Sequence, residues 1–275
     1  MKIEKLFETE GITDYAVLPL SACRITMPRL LSRYADFEPR SVLLYLVPYY
    51  GGDTENLSLY AASRDYHLYF SEFSARIIAC LEASFPGSRT VAFADHSPID
   101  ERDAAARAGL GVLGQNGLLI APRYASLVFI GELLTDVPPE ALPRVAAPAE
   151  PLTCEGCGAC RRACPTGILC GCGQDCLSAI TQKKGELCEA ELALMKKYNT
   201  VWGCDLCQTA CPHVKRAIRE NTAQTPIRFF RESRTPHLTY RMIDEMPEAE
   251  FRERAYAWRG RKTLLRNLRA YERDE

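Results

Sequence analysis

The sequence predicts an α+β protein made of three consecutive parts. In the first part, short apolar runs that suit buried strands alternate with helical patterns. In the second, 11 of the 13 cysteines lie between Cys154 and Cys211. In the third, the chain is mainly helical and ends in a basic stretch. We therefore expect an N-terminal α/β domain at 1–145, a cysteine-rich domain at 146–220 and a C-terminal helical extension at 221–275, packed on the core.

Three apolar runs predict the strands of the N-terminal part. Residues 41–47 (SVLLYLV) form a short apolar run that ends at Pro48, which is typical of a buried strand. Residues 90–94 and 125–134 have a similar composition. We expect these three segments to form a sheet.

Two helices are predicted between these strands, over residues 66–83 and 99–108. The second has a start signal, with Ser97 as N-cap, Pro98 at the first position and Asp100 three residues after the cap. It ends at Gly109, which we interpret as a helix C-cap. Gly109 also opens a Gly-x-Gly-x-x-Gly match, but a dinucleotide fingerprint has to follow a strand and open a helix, so we do not expect nicotinamide binding.

Charge and hydropathy narrow the class of protein. The net charge of −1 predicts no general attraction to nucleic acid or anionic membranes. The N-terminus interleaves acidic and apolar residues, unlike an export signal, and no apolar stretch approaches the length of a membrane helix. We expect a cytoplasmic protein without a membrane partner. In that reducing compartment, cysteines more often bind metal than form disulfides.

The segment 137–151 holds five of the 17 prolines and reads as a linker. Immediately after it comes Cys154-x2-Cys157-x2-Cys160-x3-Cys164-Pro, the spacing of bacterial ferredoxins. In that pattern three thiolates hold one [4Fe–4S] cluster and the fourth reaches a second cluster.

A second cysteine run, Cys204-x2-Cys207-x3-Cys211-Pro, supplies three more thiolates. Two clusters need eight ligands, so the spacing predicts crossed sets. The first set is Cys154, Cys157, Cys160 and Cys211. The second is Cys164, Cys204, Cys207 and one of Cys170, Cys172, Cys176 or Cys188. Two structural zinc sites are the alternative, but zinc ribbons show paired Cys-x2-Cys units rather than a four-cysteine run closed by Cys-Pro.

Further motifs resemble the epoxyqueuosine reductase family in order and spacing across essentially the whole chain. They are Pro48-Tyr-Tyr50, Arg64-Asp-Tyr-His67, Asp95-His-Ser-Pro98, Glu101-Arg102, Ala108-Gly-Leu-Gly-Val-Leu-Gly-Gln-Asn116, Phe129-Ile-Gly-Glu-Leu-Leu-Thr-Asp136, Cys176-Leu-Ser-Ala-Ile-Thr181, Trp202-Gly-Cys-Asp-Leu-Cys207 and Arg259-Gly-Arg-Lys-Thr-Leu-Leu-Arg-Asn267.

The resemblance implies an oxidoreductase that converts epoxyqueuosine in tRNA to queuosine, the last step of queuosine biosynthesis, or that applies the same chemistry to a related substrate. It implies two [4Fe–4S] clusters in a bacterial-ferredoxin-like domain, with Cys176 as the eighth ligand. It also implies base-off cobalamin between this domain and a cobalamin-binding-type N-terminal domain, and Asp95 as the proton donor to the opened epoxide. Six residues match the cofactor-contacting positions: Tyr66, His67, Asp95, Arg102, Asn116 and Ser178.

The chain departs from the family at several points. Gln115 and Leu68 stand where members usually or often have lysine, which removes positive charge that could face phosphate. The sequence ends after the Arg-Asn segment, where many members continue into a helical-repeat domain that helps to hold tRNA. We therefore expect a short form of the enzyme that binds tRNA more weakly. We also expect a monomer that receives electrons from a separate electron donor.

Two other functions fit part of the pattern. A non-catalytic two-cluster protein could pass electrons to another enzyme, such as a corrinoid enzyme, and would not bind cobalamin itself. A zinc-stabilised nucleic-acid-binding module would be colourless and free of iron. Cobalamin binding and iron analysis separate these hypotheses from the reductase.

Overall fold

A four-stranded antiparallel sheet lies at the centre of the N-terminal part. The computed structural model describes residues 2–34, 36–173 and 175–272. Within them the strands are β1 (Tyr15–Pro19), β2 (Ser41–Pro48), β3 (Thr90–Phe93), β4 (Val112–Leu113), β5 (Leu119–Ile120) and β6 (Val128–Thr135). The sheet order is β1-β2-β6-β3, and β4 and β5 form a separate hairpin. The three predicted strands are confirmed, although β6 begins three residues later than its apolar run.

Both faces of this sheet are covered, which explains why β2 is buried at every position and almost entirely apolar. Val42, Leu44 and Leu46 join the cluster beneath one face, where they meet three successive alanines of the helix over residues 101–107. Their neighbours Leu43 and Tyr45 point to the opposite face, as the two-residue period of a strand requires. A strand buried on both faces loses the polar alternation of a surface strand.

Four helices flank the sheet: α1 (Ile3–Glu10), α2 (Pro28–Leu31), α3 (Tyr66–Ser84) and α4 (Glu101–Arg107). The prediction for α3 is confirmed to within one residue. The N-cap predicted for α4 is wrong, because Asp100 caps this helix and accepts a hydrogen bond from the backbone N–H of Asp103 at 3.2 Å. Ser97 instead uses its hydroxyl to contact Glu132 on β6. Gly109 follows α4 with a φ of +74°, which confirms the C-terminal stop.

The remainder of the chain is helical, which confirms the prediction for the segment after Cys211; the helices of the cysteine-rich part were not predicted. The helices are α5 (Ala159–Ala163), α6 (Leu177–Thr181), α7 (Glu189–Lys197), α8 (Leu206–Thr209), α9 (Pro212–Arg219), α10 (Arg228–Arg231), α11 (Tyr240–Glu245), α12 (Glu248–Arg252) and α13 (Arg261–Glu272). Short 3-10 turns lie at Leu20–Ala22, Leu59–Ala61, Pro139–Ala141, Ile168–Cys170 and Ala257–Arg259. Residues 273–275 of the basic end lie outside the described residues. No helix in the described part of the chain has the length and apolar character needed to cross a membrane.

The predicted linker packs along the sheet rather than standing free. Val17 of β1 donates its N–H to the carbonyl of Arg144 at 3.0 Å and accepts from Ala146 at 2.9 Å. Farther along the chain, Asn56 donates its side-chain amide to the carbonyl of Leu238 at 2.8 Å. These hydrogen bonds attach the linker to the sheet and the N-terminal part to the C-terminal extension.

Candidate functional site

Asp95 lies on the loop between β3 and α4 with its side chain 57% exposed. Its φ of +60° is left-handed, a conformation that aspartate tolerates better than most residues. The Tyr66 hydroxyl donates a hydrogen bond to Oδ2 of Asp95, and Nε2 of His67 lies 3.7 Å from the same oxygen. The structure thus brings together three of the predicted site residues.

Tyr66 and His67 are positioned by the start of α3. Asp65 caps this helix, and its Oδ1 accepts from the backbone N–H of His67 at 3.0 Å and lies 2.8 Å from His67 Nδ1. The hydrogen bond to Asp65 raises the pKa of His67, and the nearby Asp95 carboxylate raises it further. Burial of the imidazole has the opposite effect but is outweighed. Burial, then Asp95, raises the pKa of Tyr66, so its hydroxyl stays protonated and can donate. The Tyr66 ring stacks on His67 and on Phe129, with centroids 4.3 and 4.4 Å apart.

Arg102 and Asn116 lie on the other side of this loop. Arg102 Nη1 donates to the carbonyl of Gly117 at 2.9 Å and so fastens α4 to the turn between β4 and β5. The adjacent Asn116 side chain hydrogen-bonds Cys207, which lowers the pKa of that thiol against the larger effect of burial. The Arg102 side chain is 52% exposed. The turn that α4 contacts through Arg102 therefore also contacts the cysteines, through the hydrogen bond of Asn116 to Cys207.

The first set of cysteines lines one cavity of about 160 Å³. Its cysteines are Cys154, Cys157, Cys160 and Cys211, the four residues of the predicted first crossed set. Burial raises the pKa of Cys160, and the neighbouring Cys154 and Cys157 thiols raise it further. Helix α5 packs against α8, and this contact brings the two cysteine runs together.

The second set gathers around Cys207. Burial raises the pKa of Cys207 to about 11, with added repulsion from Cys176 and Cys164. Burial likewise raises the pKa of Cys204 to about 12, and Cys176 and Cys207 contribute to that rise. For Cys164, backbone N–H groups that point at its sulfur outweigh burial and lower the pKa. The structure therefore places Cys176, rather than another intervening cysteine, beside Cys204 and Cys207 of the second set.

The other candidates for the eighth position are exposed and engaged elsewhere. Cys188 is the N-cap of α7, in a capping box with Glu191. Cys170 and Cys172 have sulfurs 3.8 and 3.7 Å from backbone carbonyls of their own segment. No three His, Cys, Asp or Glu side chains of the described residues are arranged to hold a single metal ion.

Ser178 is the predicted site residue that the structure does not bring to Asp95. Its hydroxyl accepts a hydrogen bond from Gln182, one turn along the chain, at 3.0 Å. It lines a surface groove together with Cys176 and Arg259. Ser178 is thus a neighbour of the second cysteine set.

Sequence analysis missed three acidic residues that contact the Asp95 loop or the side chains around it. Asp65 orients His67. The sequence feature that could have revealed this is an aspartate directly before a helix, with the histidine two residues later. Glu132 was the one charged residue inside the apolar run of β6. Glu101 opens α4, and burial, then Asp95, raises its pKa to about 7.

Curated relatives show which proteins this chain is similar to. The chain is 33% identical over 225 residues to the epoxyqueuosine reductase of Staphylococcus aureus, covering 78% of this chain and 56% of that protein. It is 35% identical over 201 residues to the enzyme of Gloeobacter violaceus, covering 71% and 61%. The chain is a relative of the epoxyqueuosine reductases. This confirms the resemblance that the motifs predicted, although no family model matches the sequence.

Solved epoxyqueuosine reductases share the fold. The Streptococcus thermophilus structure superposes with a TM-score of 0.75 at 23% identity, covering 98% of this chain and 79% of that chain. A reductase solved with an epoxyqueuosine-modified tRNA-Tyr stem loop gives 0.75 at 22% identity, covering 98% and 80%. The mixed α/β fold of this chain is therefore that of the epoxyqueuosine reductases. The chain spans just over half the length of the Staphylococcus aureus relative.

Proposed function

We propose that this chain is an iron–sulfur and cobalamin-dependent reductase that converts epoxyqueuosine in tRNA to queuosine, or reduces a related substrate. One observation carries the proposal. Asp95, with Tyr66 and His67 around its carboxylate, lies on an exposed loop of the same body that holds two sets of clustered cysteines. The name shared by the curated relatives supports the substrate.

The cysteines fit two [4Fe–4S] clusters in a ferredoxin-like domain at 146–220. Thiolate is the form that binds iron, and several thiolates close together repel one another unless a cationic centre neutralises them. The pKa values of Cys204 and Cys207 are raised because burial and the neighbouring sulfurs both oppose ionisation of these thiols. The proposed ligand sets are Cys154, Cys157, Cys160 and Cys211, and Cys164, Cys176, Cys204 and Cys207.

Cobalamin fits the N-terminal domain, 1–145, on the side that faces the cysteines. The proposed contacts are Tyr66, His67, Asp95, Arg102 and Asn116 of this domain, with Ser178 added from the cysteine-rich part. A corrin presents a flat hydrophobic ring with amide side chains, and these residues offer an aromatic ring, hydrogen-bond donors and acceptors. When bound, the base-off cofactor would supply a strongly reducing cobalt centre, with electrons passed from the clusters.

Asp95 would protonate the oxygen of the opening epoxide. An alkoxide is a poor product at neutral pH, so a positioned acid lowers the barrier. After Asp95 gives up its proton, the Tyr66 hydroxyl and His67 are in place to stabilise its carboxylate. A solved relative from Bacillus subtilis, whose catalytic loop carries an aspartate, was found with that loop swung out of the active site. Mobility of the corresponding Asp95 loop would let substrate enter.

The proposal that tRNA is the partner is supported by the epoxyqueuosine reductase that was solved with a tRNA stem loop. In this chain the helical extension, 221–275, would add basic side chains near the clusters. Lys262, Arg266 and Arg269 of α13 line one groove there and could face phosphate. The electron donor would be a separate one-electron carrier.

The test is anaerobic turnover of epoxyqueuosine-containing tRNA with added cobalamin and a chemical reductant. Wild-type protein should form queuosine, and Asp95→Asn should slow turnover by about 100-fold or more. Asp244→Asn, a matched change at an exposed aspartate of α11, should have no effect. Wild-type turnover by Asp95→Asn would remove its assigned role. If wild-type protein carries reducible clusters but neither binds cobalamin nor turns over, an electron-transfer protein becomes the better account.

A further inference from the structure

Cys157 is the most accessible ligand of the two proposed clusters. Of the eight proposed ligands it alone is exposed, and the other seven are partly buried. It lies in the loop between Cys154 and α5, on the wall of the cavity that the first set lines. Leu152, two residues before Cys154, is 64% exposed and adds an apolar side chain to the same segment. The first cluster is therefore the one that another protein could approach closely.

Basic side chains surround this accessible cluster site. Five exposed basic residues lie on α5 and α9, the helices that precede Cys164 and follow Cys211, and we call them the basic face: Arg161, Arg162, Lys215, Arg216 and Arg219. Only two acidic residues, Glu155 and Glu220, lie in the same segments. The whole chain, by contrast, has 34 Lys and Arg against 35 Asp and Glu. The basic face is thus a local concentration of positive charge on a nearly neutral protein.

The fold directs these charges to solvent beside the first set. The Nη1 of Arg162 donates to the carbonyl of Cys157 at 3.1 Å, and Arg216 lines the cavity of the first set. The opposite side of α9 is buried in the core through Val214 and Ala217. Of the basic face, Arg219 has an ion pair, at 3.4 Å to Glu220, and the other four have none among the described residues. These charges are therefore free to attract a partner.

The second set lies next to the proposed cofactor contacts. Asn116 hydrogen-bonds Cys207, and Ser178 follows Cys176 by two residues. Asn116 also lines the cavity of the first set, so both sets lie close to the turn that carries it. Electrons that enter at the exposed first cluster would reach the cofactor through the second.

We propose that the basic face is the docking surface for an acidic one-electron carrier protein that reduces the first cluster. The inference rests on the proposed function and names the surface that its electron donor would use. In each encounter the reduced redox group of the carrier loses one electron, and the first cluster gains it, passing from [4Fe–4S]2+ to [4Fe–4S]+. No bond is made or broken. Opposite charges on the two proteins would speed and orient the encounter.

A tRNA phosphate backbone would also be attracted to positive charge. The exposed Leu152 and Cys157 favour a protein partner, because protein interfaces place apolar contacts inside a polar rim. Phosphate, in contrast, is contacted by charged and polar groups. RNA bound over the basic face would also cover the most accessible cluster ligand, which the electron donor has to approach.

Stopped-flow mixing of a reduced, acidic flavodoxin with the cluster-containing protein tests the proposal, without cobalamin or tRNA. Loss of one electron converts the flavin hydroquinone to its semiquinone, which absorption spectroscopy detects. The wild-type second-order rate constant should fall steeply as ionic strength rises from about 0.01 to about 0.15 M. The double variant Lys215→Glu/Arg219→Glu, which changes neither a ligand nor a residue lining the cluster cavity, should lower the low-salt rate about 10-fold or more.

The matched control is Arg33→Glu/Arg40→Glu, the same charge change at two exposed arginines in the segment that packs on the other face of the sheet. Its rate should stay within about twofold of wild type. Dithionite should reduce the clusters of all three proteins to the same extent.

Equal low-salt rates in wild type and Lys215→Glu/Arg219→Glu, with intact clusters, would overturn the proposal. So would a lack of electron transfer from flavodoxin to clusters that dithionite reduces. If the double variant instead weakens binding of a tRNA stem loop and leaves the flavodoxin rate unchanged, the basic face binds nucleic acid and the proposal falls. Wild-type protein without clusters would refute the proposed function itself. The expected flavodoxin rates in a protein that does not reduce epoxyqueuosine would support the docking surface and refute the proposed substrate.

Discussion

Replacing Glu132 by glutamine should change how folding stability depends on pH. The ordinary pKa of this side chain is 4.5, and in the folded protein burial raises it to about 8. Between these values the unfolded chain releases the proton while the folded chain retains it. The wild-type free energy of unfolding should therefore fall by about 1.4 kcal/mol for each pH unit as pH rises. The stability contribution is complete below the unfolded pKa and is lost by the time pH has passed the folded pKa.

The magnitude is large enough to measure. From about pH 5.5 to about pH 7.5, wild-type protein should lose about 3 kcal/mol relative to Glu132→Gln, which cannot ionise. The assay is urea denaturation of both proteins under anaerobic conditions, with the free energies compared at each pH. Because both proteins carry the same clusters and the same Glu101, the difference isolates one carboxyl group. Parallel curves for the two proteins would refute the assignment of Glu132 as protonated at neutral pH.

Two further substitutions test the packing around the site. Gly131→Ala should destabilise the protein by about 3 kcal/mol or more, since overpacking of a rigid core is costly and the added Cβ would lie 2.1 Å from the Tyr45 ring. A thermal midpoint close to wild type would contradict that packing. Asn267→Ala should cost about 2–4 kcal/mol, because the buried amide donates to the carbonyls of Thr181 at 2.7 Å and Val201 at 2.8 Å. Unchanged urea denaturation would show that these carbonyls find other donors.

Sequence patterns predicted the secondary-structure elements that are determined by residues close together in the sequence. The apolar run of β2 and the long helix α3 were found because burial on both faces and helical periodicity are visible in consecutive residues. The cysteine spacing also predicted two crossed ligand sets, and the four cysteines of the first set line one cavity in the fold. These features need no knowledge of distant contacts.

Features that depend on distant contacts were harder to predict. Ser97 looked like an N-cap, but its hydroxyl is taken by Glu132, which is 35 residues away in sequence. The proline-rich segment 137–151 looked like a free linker, yet its backbone pairs with β1. Both outcomes follow from how the sheet is assembled, which local composition does not encode.

The eighth cysteine shows the same limit at the site. Spacing alone left Cys170, Cys172, Cys176 and Cys188 open, and only the family resemblance selected Cys176. In the fold, Cys188 caps α7 and Cys176 lies beside Cys204 and Cys207. The segment 170–188 contains four thiols, and tertiary packing decides which one faces the other cysteines.

Iron content per chain tests the central claim most directly. Anaerobically isolated wild-type protein should contain about eight iron atoms, as two four-iron clusters require. Cys176→Ala should lose a large part of the iron of one cluster, and the matched change Cys170→Ala should keep the wild-type content. A colourless, zinc-loaded wild-type protein would contradict the account. So would a loss of iron in Cys170→Ala with full retention in Cys176→Ala.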